Sequence, residues 1–449
     1  MKKNIDLING KIDSTLRRFA LPLVASFVIQ NVYTWVDMYY VSRISSTAIA
    51  AIKVSEQMIF MVLSIVGGLA IGSGIIIARR LGEGEKEKAN HAANQSTVFM
   101  AIVSVIVAVF FYFITPVLTS FFNLHSEVAD LILTYNRAVC FGIPATFLVF
   151  HLNSIVRATG NSIFPMFVLI TSNILNAIIA PFFVFGIGPF PKLGMQGAGI
   201  ATAIAQNLGL LIAIWGIYKN YVNLEFKLSN FKFDFDVIWN IFRLGVPATL
   251  QFIAVSVNRM LIISIANSFG VVVLTTYMFG IGVDLFVFMS IFAIGASIEI
   301  ITGQNLGANR LDRVMLFHKS AVKQLSILLL VLAIVVFFFG EYFARIFTNE
   351  TQLILEIKHY LRIATFAYIP FSVGIVTIRI ISGAGDYFRS FVLVTIVFFG
   401  VQLPLAYILS HFTGLKHYGI WYAILISQIS FAVISYISLR NGKWLKAKV

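Results

Sequence analysis

Stretches such as "LSILLLVLAIVVFFFG", from Leu325 to Gly340, constrain this chain more than any other feature. They are uncharged and too long for an ordinary core element. About twelve such runs recur, and a bilayer span needs roughly 20 apolar residues. Their cores fall at 16–41, 47–78, 92–120, 129–156, 163–187, 197–218, 237–267, 271–303, 315–340, 352–382, 388–411 and 417–439. A membrane barrel would alternate apolar and polar residues over segments of about ten. These runs do not alternate, so the predicted fold class is an all-α polytopic membrane protein with twelve transmembrane helices. Composition agrees. Of 449 residues 59% are hydrophobic and 12% charged, with a mean hydropathy of +0.90, against about 25% charged in soluble domains.

The net charge of +14 is explained by topology and does not call for a nucleic-acid partner. Basic residues crowd alternate loops, as with Arg79, Arg80, Lys86 and Lys88 after the second run. With twelve spans and both termini cytoplasmic, most Lys and Arg fall inside, as the positive-inside rule requires. The basic N-terminus and the apolar run after it resemble a secretory signal, but the run is too long and lacks a small-residue cleavage site. It reads as an uncleaved first helix. Cys140 is the only cysteine, which excludes an intramolecular disulfide.

The chain repeats itself. "RRFALPLV" from Arg17 opens the first span and "IFRLGVPATL" from Ile241 the seventh. The spacing from Pro22 to Leu81 equals that from Pro247 to Leu306. "VRATGN" from Val156 matches "ISGAGD" from Ile381. Gly199-Ile200 and Gln206 match Gly419-Ile420 and Gln428. Two six-helix lobes follow, 1–222 and 223–449, joined by a polar linker at about 219–236. Six is even, so both lobes enter the membrane in the same sense, related by an axis along its normal. Paired bundles of this kind are a transporter architecture.

The energy source is constrained by what is missing. No "GxxxxGK[ST]" loop occurs, so no Walker-type ATP site is present. "GGLAIGSG" from Gly67 lies inside a span and reads as close helix packing. The seven His form no HExxH pair, so neither a metal centre nor a catalytic cluster is predicted, and no cofactor is required. The chain reads as a carrier and not an enzyme. An ion gradient, H⁺ or Na⁺, remains, and it needs intramembrane polar groups. Asp37 is the first candidate, with Gln30, Asn31 and Tyr33 on the same span. His151 and Asn153 lie on the fourth span. Asn173 and Asn176 share a face of the fifth at i, i+3, and Thr202 begins the sixth. Arg259, Asp284 and Glu299 lie in the second lobe. Asp37 follows Arg18 by a stretch of helix about 28 Å long, so it sits towards the outer side. For Arg259 and Asp284 an ion pair between adjacent helices is the plain structural expectation.

In "IQNVYTWVDMYYV" from Ile29, "RRLGEGEKEKA" from Arg79, "VRATGNSIFP" from Val156, "NILNAIIAPFFVFGIGP" from Asn173, "GAGIATAIAQ" from Gly197 and "GIGVDLFVF" from Gly280, the chain resembles the multidrug and toxic compound extrusion (MATE) transporters. The likeness is to the prokaryotic branch with an aspartate on helix 1, and it covers nearly the whole chain. It implies a cation-coupled efflux antiporter working by alternating access. Its partners would be the bilayer and small organic cations or drugs, in the inner membrane of a prokaryote, with the protein a monomer. It also implies that Asp37, Asn176 and Thr202 form the coupling site, to which Asn173, one turn earlier on the fifth span, is added as a neutral ligand. Gln30, Asn31, Tyr33, Asn153 and His151 would line the substrate cavity, and Asp284 would match a helix 8 aspartate. The helix 7 glutamate of other branches is missing from "LQFIAVSV". Helix 5 departs from the family pattern Asn-x-x-x-Asp, because Ala180 takes the acidic place. A site with one carboxylate suits a proton better than Na⁺, which needs several oxygen ligands. A lipid-linked saccharide flippase of the same superfamily is the first alternative, and a membrane-embedded lipid-modifying enzyme the second.

Overall fold

A computed structural model describes residues 4–121, 126–219, 224–226 and 231–447. Its first seven helices are α1 (Ile12–Ser42), α2 (Ser46–Gly82), α3 (Lys86–Phe121), α4 (Ser126–Cys140), α5 (Ile143–Ala158), α6 (Ile163–Phe185) and α7 (Met195–Tyr218). The remainder are α8 (Phe235–Asn267), α9 (Val271–Gly307), α10 (Leu311–Phe347), α11 (Thr351–Gly383), α12 (Tyr387–Thr395), α13 (Leu403–His411) and α14 (Tyr418–Arg440). A π-helical stretch, Ile396–Gln402, joins α12 to α13 as one span. In lipid the backbone must satisfy its own hydrogen bonds, and helices do so within one segment.

Among the described residues, eleven spans are long and apolar enough to cross a membrane. The fourth expected span, 129–156, is not one continuous helix. It breaks after Cys140 into α4 and α5, bent by 54°, and this pair completes the twelve. Pro144, in the first turn of α5, lacks the N–H that a continuous helix would use there.

The repeat is visible in the backbone. Gly160 and Gly385 have φ of 86° and 98° in turns that match between the two halves. Gly84 (φ 78°) is matched in the same register by Asn309 (φ 57°), asparagine being a side chain that tolerates the left-handed region. One sequence match changes. In packing, Gly197 and not Gly199 is the counterpart of Gly419. A Cβ on Gly197 would lie 2.2 Å from the Phe183 carbonyl, and one on Gly419 2.4 Å from the Leu409 backbone.

Two compact units are present. The first comprises Met1–Leu7 and Leu21–Thr249, the second Ile8–Ala20 and Leu250–Val449. The proposed 222/223 boundary, with much of its linker (220–223 and 227–230), lies outside the described residues. In the first unit, Phe111, Phe147 and Phe164 are fully buried. Helices within lipid associate by close packing at small residues, and "GGLAIGSG" supplies them. A Cβ on Gly68 would meet the Gly245 carbonyl at 2.4 Å, and one on Gly74 the Ser154 hydroxyl at 2.5 Å. In the second unit, Phe317, Tyr368, Trp421 and Phe431 are buried about α11. There the start of α1 is tied to α10: the Ser320 hydroxyl donates to Asp13 and the Arg313 guanidinium to the Gly10 carbonyl.

Candidate functional site

Asp37 lies on α1, little more than one turn before the helix ends at Ser42. It is buried at 5% exposure, and its Oδ1 has no hydrogen-bond partner. No bond joins it to Asn176 or Thr202 among the described residues. Those two bond to each other, Asn176 Nδ2 donating to Thr202 Oγ1 at 3.1 Å, and Asn176 Oδ1 is left without a partner. Asn173 donates to Gln30 Oε1 at 3.3 Å, linking α6 to α1. Tyr40 adds a second link by donating to the Ala177 carbonyl. Asn31 is satisfied locally, donating to the Phe27 carbonyl at 2.9 Å. Ala180, one turn beyond Asn176, is buried at 1%, so α6 offers no acid there.

The reading of the sequence did not single out Tyr135, buried on α4, or Lys53 and Glu56. Glu56 and Lys53 on α2 pair with each other at 2.8 Å. The signal was present in "AIKVSEQMIF": two charged residues at i, i+3 inside an apolar run. Tyr135 was also marked, because Tyr360 occupies its place in the second half of the repeat.

On α5, His151 is fully buried, with Nε2 3.4 Å from Thr97 Oγ1 and Nδ1 unpartnered. Asn153 is buried with an unpartnered Oδ1. No bond connects either to the Asp37 group among the described residues.

The second unit holds its own buried carboxylate. Asp284 on α9 accepts from Tyr360 (2.7 Å) and Tyr368 (2.8 Å), two turns apart on α11. Gly280 makes this possible, since a Cβ there would lie 2.0 Å from the Tyr360 ring. Trp421 packs beside Tyr360 and stacks on Tyr277. The expected ion pair between Arg259 and Asp284 does not form. Arg259 is exposed on α8, and tyrosine hydroxyls satisfy the carboxylate. Glu299 instead forms a buried ion pair with Arg379 on α11 at 3.2 Å. The corresponding pair in the first half of the repeat is Gly74 and Ser154, which touch in the first unit. One helix crossing is thus made by small residues in one unit and by opposite charges in the other. Among the described residues no group of three His, Cys, Asp or Glu could hold a metal ion.

The geometry is therefore a buried, incompletely satisfied carboxylate among hydroxyls and amides in one unit, and a fully hydrogen-bonded carboxylate in the other. Both are carried on long membrane-spanning helices. The chain is similar to the probable multidrug resistance protein YoeA of Bacillus subtilis (strain 168), 27% identical over 407 residues, covering 90% of this chain and 88% of that one. It is 24% identical over 452 residues to the probable multidrug resistance protein YpnP of the same organism, covering 100% and 99%. Among solved structures, a MOP superfamily transporter from Pyrococcus furiosus Vc1 shares the fold with a TM-score of 0.91, at 21% identity over 98% of this chain and 97% of that one. The MatE family profile matches twice, over residues 22–182 and 247–408. With the two matches in the same register as the internal repeat and together covering most of its length, the chain belongs to the MatE family.

Proposed function

We propose that this protein is a multidrug efflux antiporter that exports bulky organic cations in exchange for protons, with Asp37 as the coupling group. The observation that carries the reading is Asp37 itself: a carboxylate buried within a span, one oxygen unpartnered, on a helix whose counterpart position in the second half is the buried Ile262. The fold does not need an acid there, and intramembrane acids are costly unless they serve transport. The relatives, probable multidrug resistance proteins, support the substrate class.

Ionised Asp37 attracts a cationic substrate. A proton arriving from outside cancels that charge and releases the substrate. One group that takes either ligand, but not both, enforces exchange. Ala180 removes the acid that a Na⁺ shell would use on α6, which favours the proton. The protein works in the inner membrane of a prokaryote, as a monomer with both termini cytoplasmic.

The test is Asp37→Asn in proteoliposomes, following uptake of a fluorescent cationic dye under an imposed pH or Na⁺ gradient. Wild type is expected to respond to the pH gradient and the variant to lose exchange while remaining folded. Undiminished exchange by the variant, or wild-type transport driven by Na⁺ alone, would overturn the assignment of group or ion.

A further inference from the structure

The internal repeat drops the charges of the first lobe one after another. Asp37, Lys53 and Glu56 have Ile262, Met278 and Ile281 as their counterparts. Arg137 is kept: its counterpart at the same offset is Arg362. Three aromatic positions are kept with it. Tyr112 and Phe113 on α3 match Phe337 and Phe338 on α10, and Phe141, at the break after α4, matches Phe366 on α11. The structure assembles them alike in each unit. In the first, the Arg137 guanidinium lies over the Tyr112 ring, 5.6 Å from its centroid, and Tyr112 meets Phe113 edge-on at 5.5 Å. In the second, the Arg362 guanidinium lies over the Phe337 ring at 5.1 Å, and Phe337 meets Phe338 at 5.2 Å and Phe366 at 6.2 Å. A cation within about 6 Å of a ring centroid is held by the ring's electron-rich face.

Neither arginine forms an ion pair among the described residues, and Arg362 Nε is buried without a hydrogen-bond partner. Yet the surroundings are apolar. Phe113, Phe141, Phe338 and Phe366 are 71%, 77%, 63% and 64% exposed. On α3 the same face runs through Ile102, Ile106, Val109 and Val117, all exposed. A helix face that stays apolar for about four turns suits lipid and not water. Depth follows from the helix starts. Arg137 follows Ser126, the first residue of α4, by 11 positions, and Arg362 follows Thr351 of α11 by the same count, about 16 Å of helix. Side chains lean towards the N-terminus of their helix, so both guanidinium groups lean out of the hydrocarbon to headgroup level. In the topology proposed above, that level is the outer leaflet.

We propose that each unit carries a binding site for an anionic phospholipid, with Arg137 in the first and Arg362 in the second taking the lipid phosphate. The planar fork of an arginine matches two phosphate oxygens at once. Resting on a ring fixes the fork before the ligand arrives, so less side-chain freedom is lost on binding. The exposed phenylalanines beside each arginine give the acyl chains their surface, which a free phosphate would not use. A zwitterionic headgroup supplies an ammonium to its own phosphate and gains less. The second site is the more basic. There Glu341 accepts from Lys358 at 2.6 Å and from Arg345 at 2.7 Å, two cations on one carboxylate, and Lys358 stands one turn from Arg362. The counterparts of these three in the first unit are Pro116, Leu133 and Ser120. A lipid seated at each site ties α3 to α4 and α10 to α11. The proposal is independent of the role of Asp37, and only the choice of leaflet rests on the topology.

Native mass spectrometry of the full chain counts the sites. The purified protein is delipidated in a neutral detergent and titrated with dioleoyl phosphatidylglycerol or dioleoyl phosphatidylcholine. Wild type is expected to retain two molecules of the anionic lipid in preference to the zwitterionic one. Arg137→Gln and Arg362→Gln should each lose one of the two, and the double variant both. Loss of hydrogen bonds to a charged group weakens the affected site about tenfold to a hundredfold, and the tighter of the two sites should be the one lost with Arg362. Lys88→Gln is the control, because its ammonium already pairs with Glu85 at 2.7 Å, and it should retain both lipids. Excess inorganic phosphate should not displace them. Equal retention of the two lipids by wild type would overturn the proposal. So would a double variant that retains as much phosphatidylglycerol as wild type, a loss as large in Lys88→Gln, or displacement by inorganic phosphate. If an arginine variant does not fold, Tyr112→Leu and Phe337→Leu keep the charge and remove the ring beneath it. Each should weaken retention at its own site, and unchanged retention by both would refute the assignment.

Discussion

Replacing Tyr360 and Tyr368 by phenylalanine, singly and together, tests how the second unit tolerates a buried acid. Each hydroxyl donates to one oxygen of Asp284, at 2.7 and 2.8 Å, and the carboxylate is 8% exposed. A hydrogen bond to a charged group contributes about 1.5–3 kcal/mol. Each single variant should lose about that much. The double variant should lose roughly 3–6 kcal/mol before coupling, which for two donors on one acceptor adds about 0.5–3 kcal/mol of non-additivity. In a unit of about 200 residues, 1 kcal/mol moves the midpoint by about 2–4 °C. Single variants should therefore melt about 3–12 °C below wild type, and the double variant further still. The assay is thermal unfolding of detergent-solubilised protein, with Arg259→Gln as the control. Arg259 is exposed and makes no ion pair with Asp284, so its removal should cost no more than about 0.5 kcal/mol. If Arg259→Gln were the more damaging change, or if the double phenylalanine variant melted with wild type, the hydroxyls would not be what holds Asp284 and the argument would fail.

Arg379→Met should remove the ion-pair partner of the buried Glu299 and cost up to about 3–5 kcal/mol, whereas Glu299→Met/Arg379→Met should recover most of that loss; the comparison of melting midpoints checks it. Adjacent glycines on α2 should behave oppositely. Gly68→Ala would drive a methyl to 2.3 Å from Thr249 Oγ1 and 2.4 Å from the Gly245 carbonyl, and overpacking against backbone should cost at least about 1–3 kcal/mol. Gly67→Ala has nothing within 4 Å of the new methyl and should be neutral or stabilising by up to about 1 kcal/mol; expression level and midpoint separate the two.

Most of the frame was legible in the sequence because lipid leaves a hydrophobic chain few options. The runs locate the helices, and Gly160 with Gly385 marks turns whose backbone requires positive φ. The break between α4 and α5 was not legible as a bend, although Pro144 marked its place. The candidate site was half legible. Asp37, Asn176 and Thr202 stand out as polar residues in apolar runs, and the bond between Asn176 and Thr202 places two of them together. The partner of Asp284 was misread because opposite charges attract attention on paper, while a tyrosine hydroxyl looks like one more aromatic until its oxygen is located. Lys53 and Glu56 were passed over for a related reason. At i, i+3 they read as a self-contained pair, which is how they meet in the structure, 2.8 Å apart.

The exchange of short segments between the two compact units bears on how the protein is made. Residues 8–20 are among the first synthesised, yet they belong with the second unit, where Asp13 is bound by Ser320, 307 residues later in the chain. At about 5–20 residues per second, synthesis leaves them without these contacts for roughly 15–60 s. The first unit likewise lacks its last segment until α8 emerges, since Gly245 and Thr249 pack on α2. Neither half can complete its packing from its own continuous stretch of chain. The first unit therefore closes only once α8 has emerged and the start of α1 is tied down only once α10 has, both after insertion of the sixth span. Halves severed at the linker and expressed separately should each expose an unfilled glycine-lined or polar groove that only the other half's segment fits.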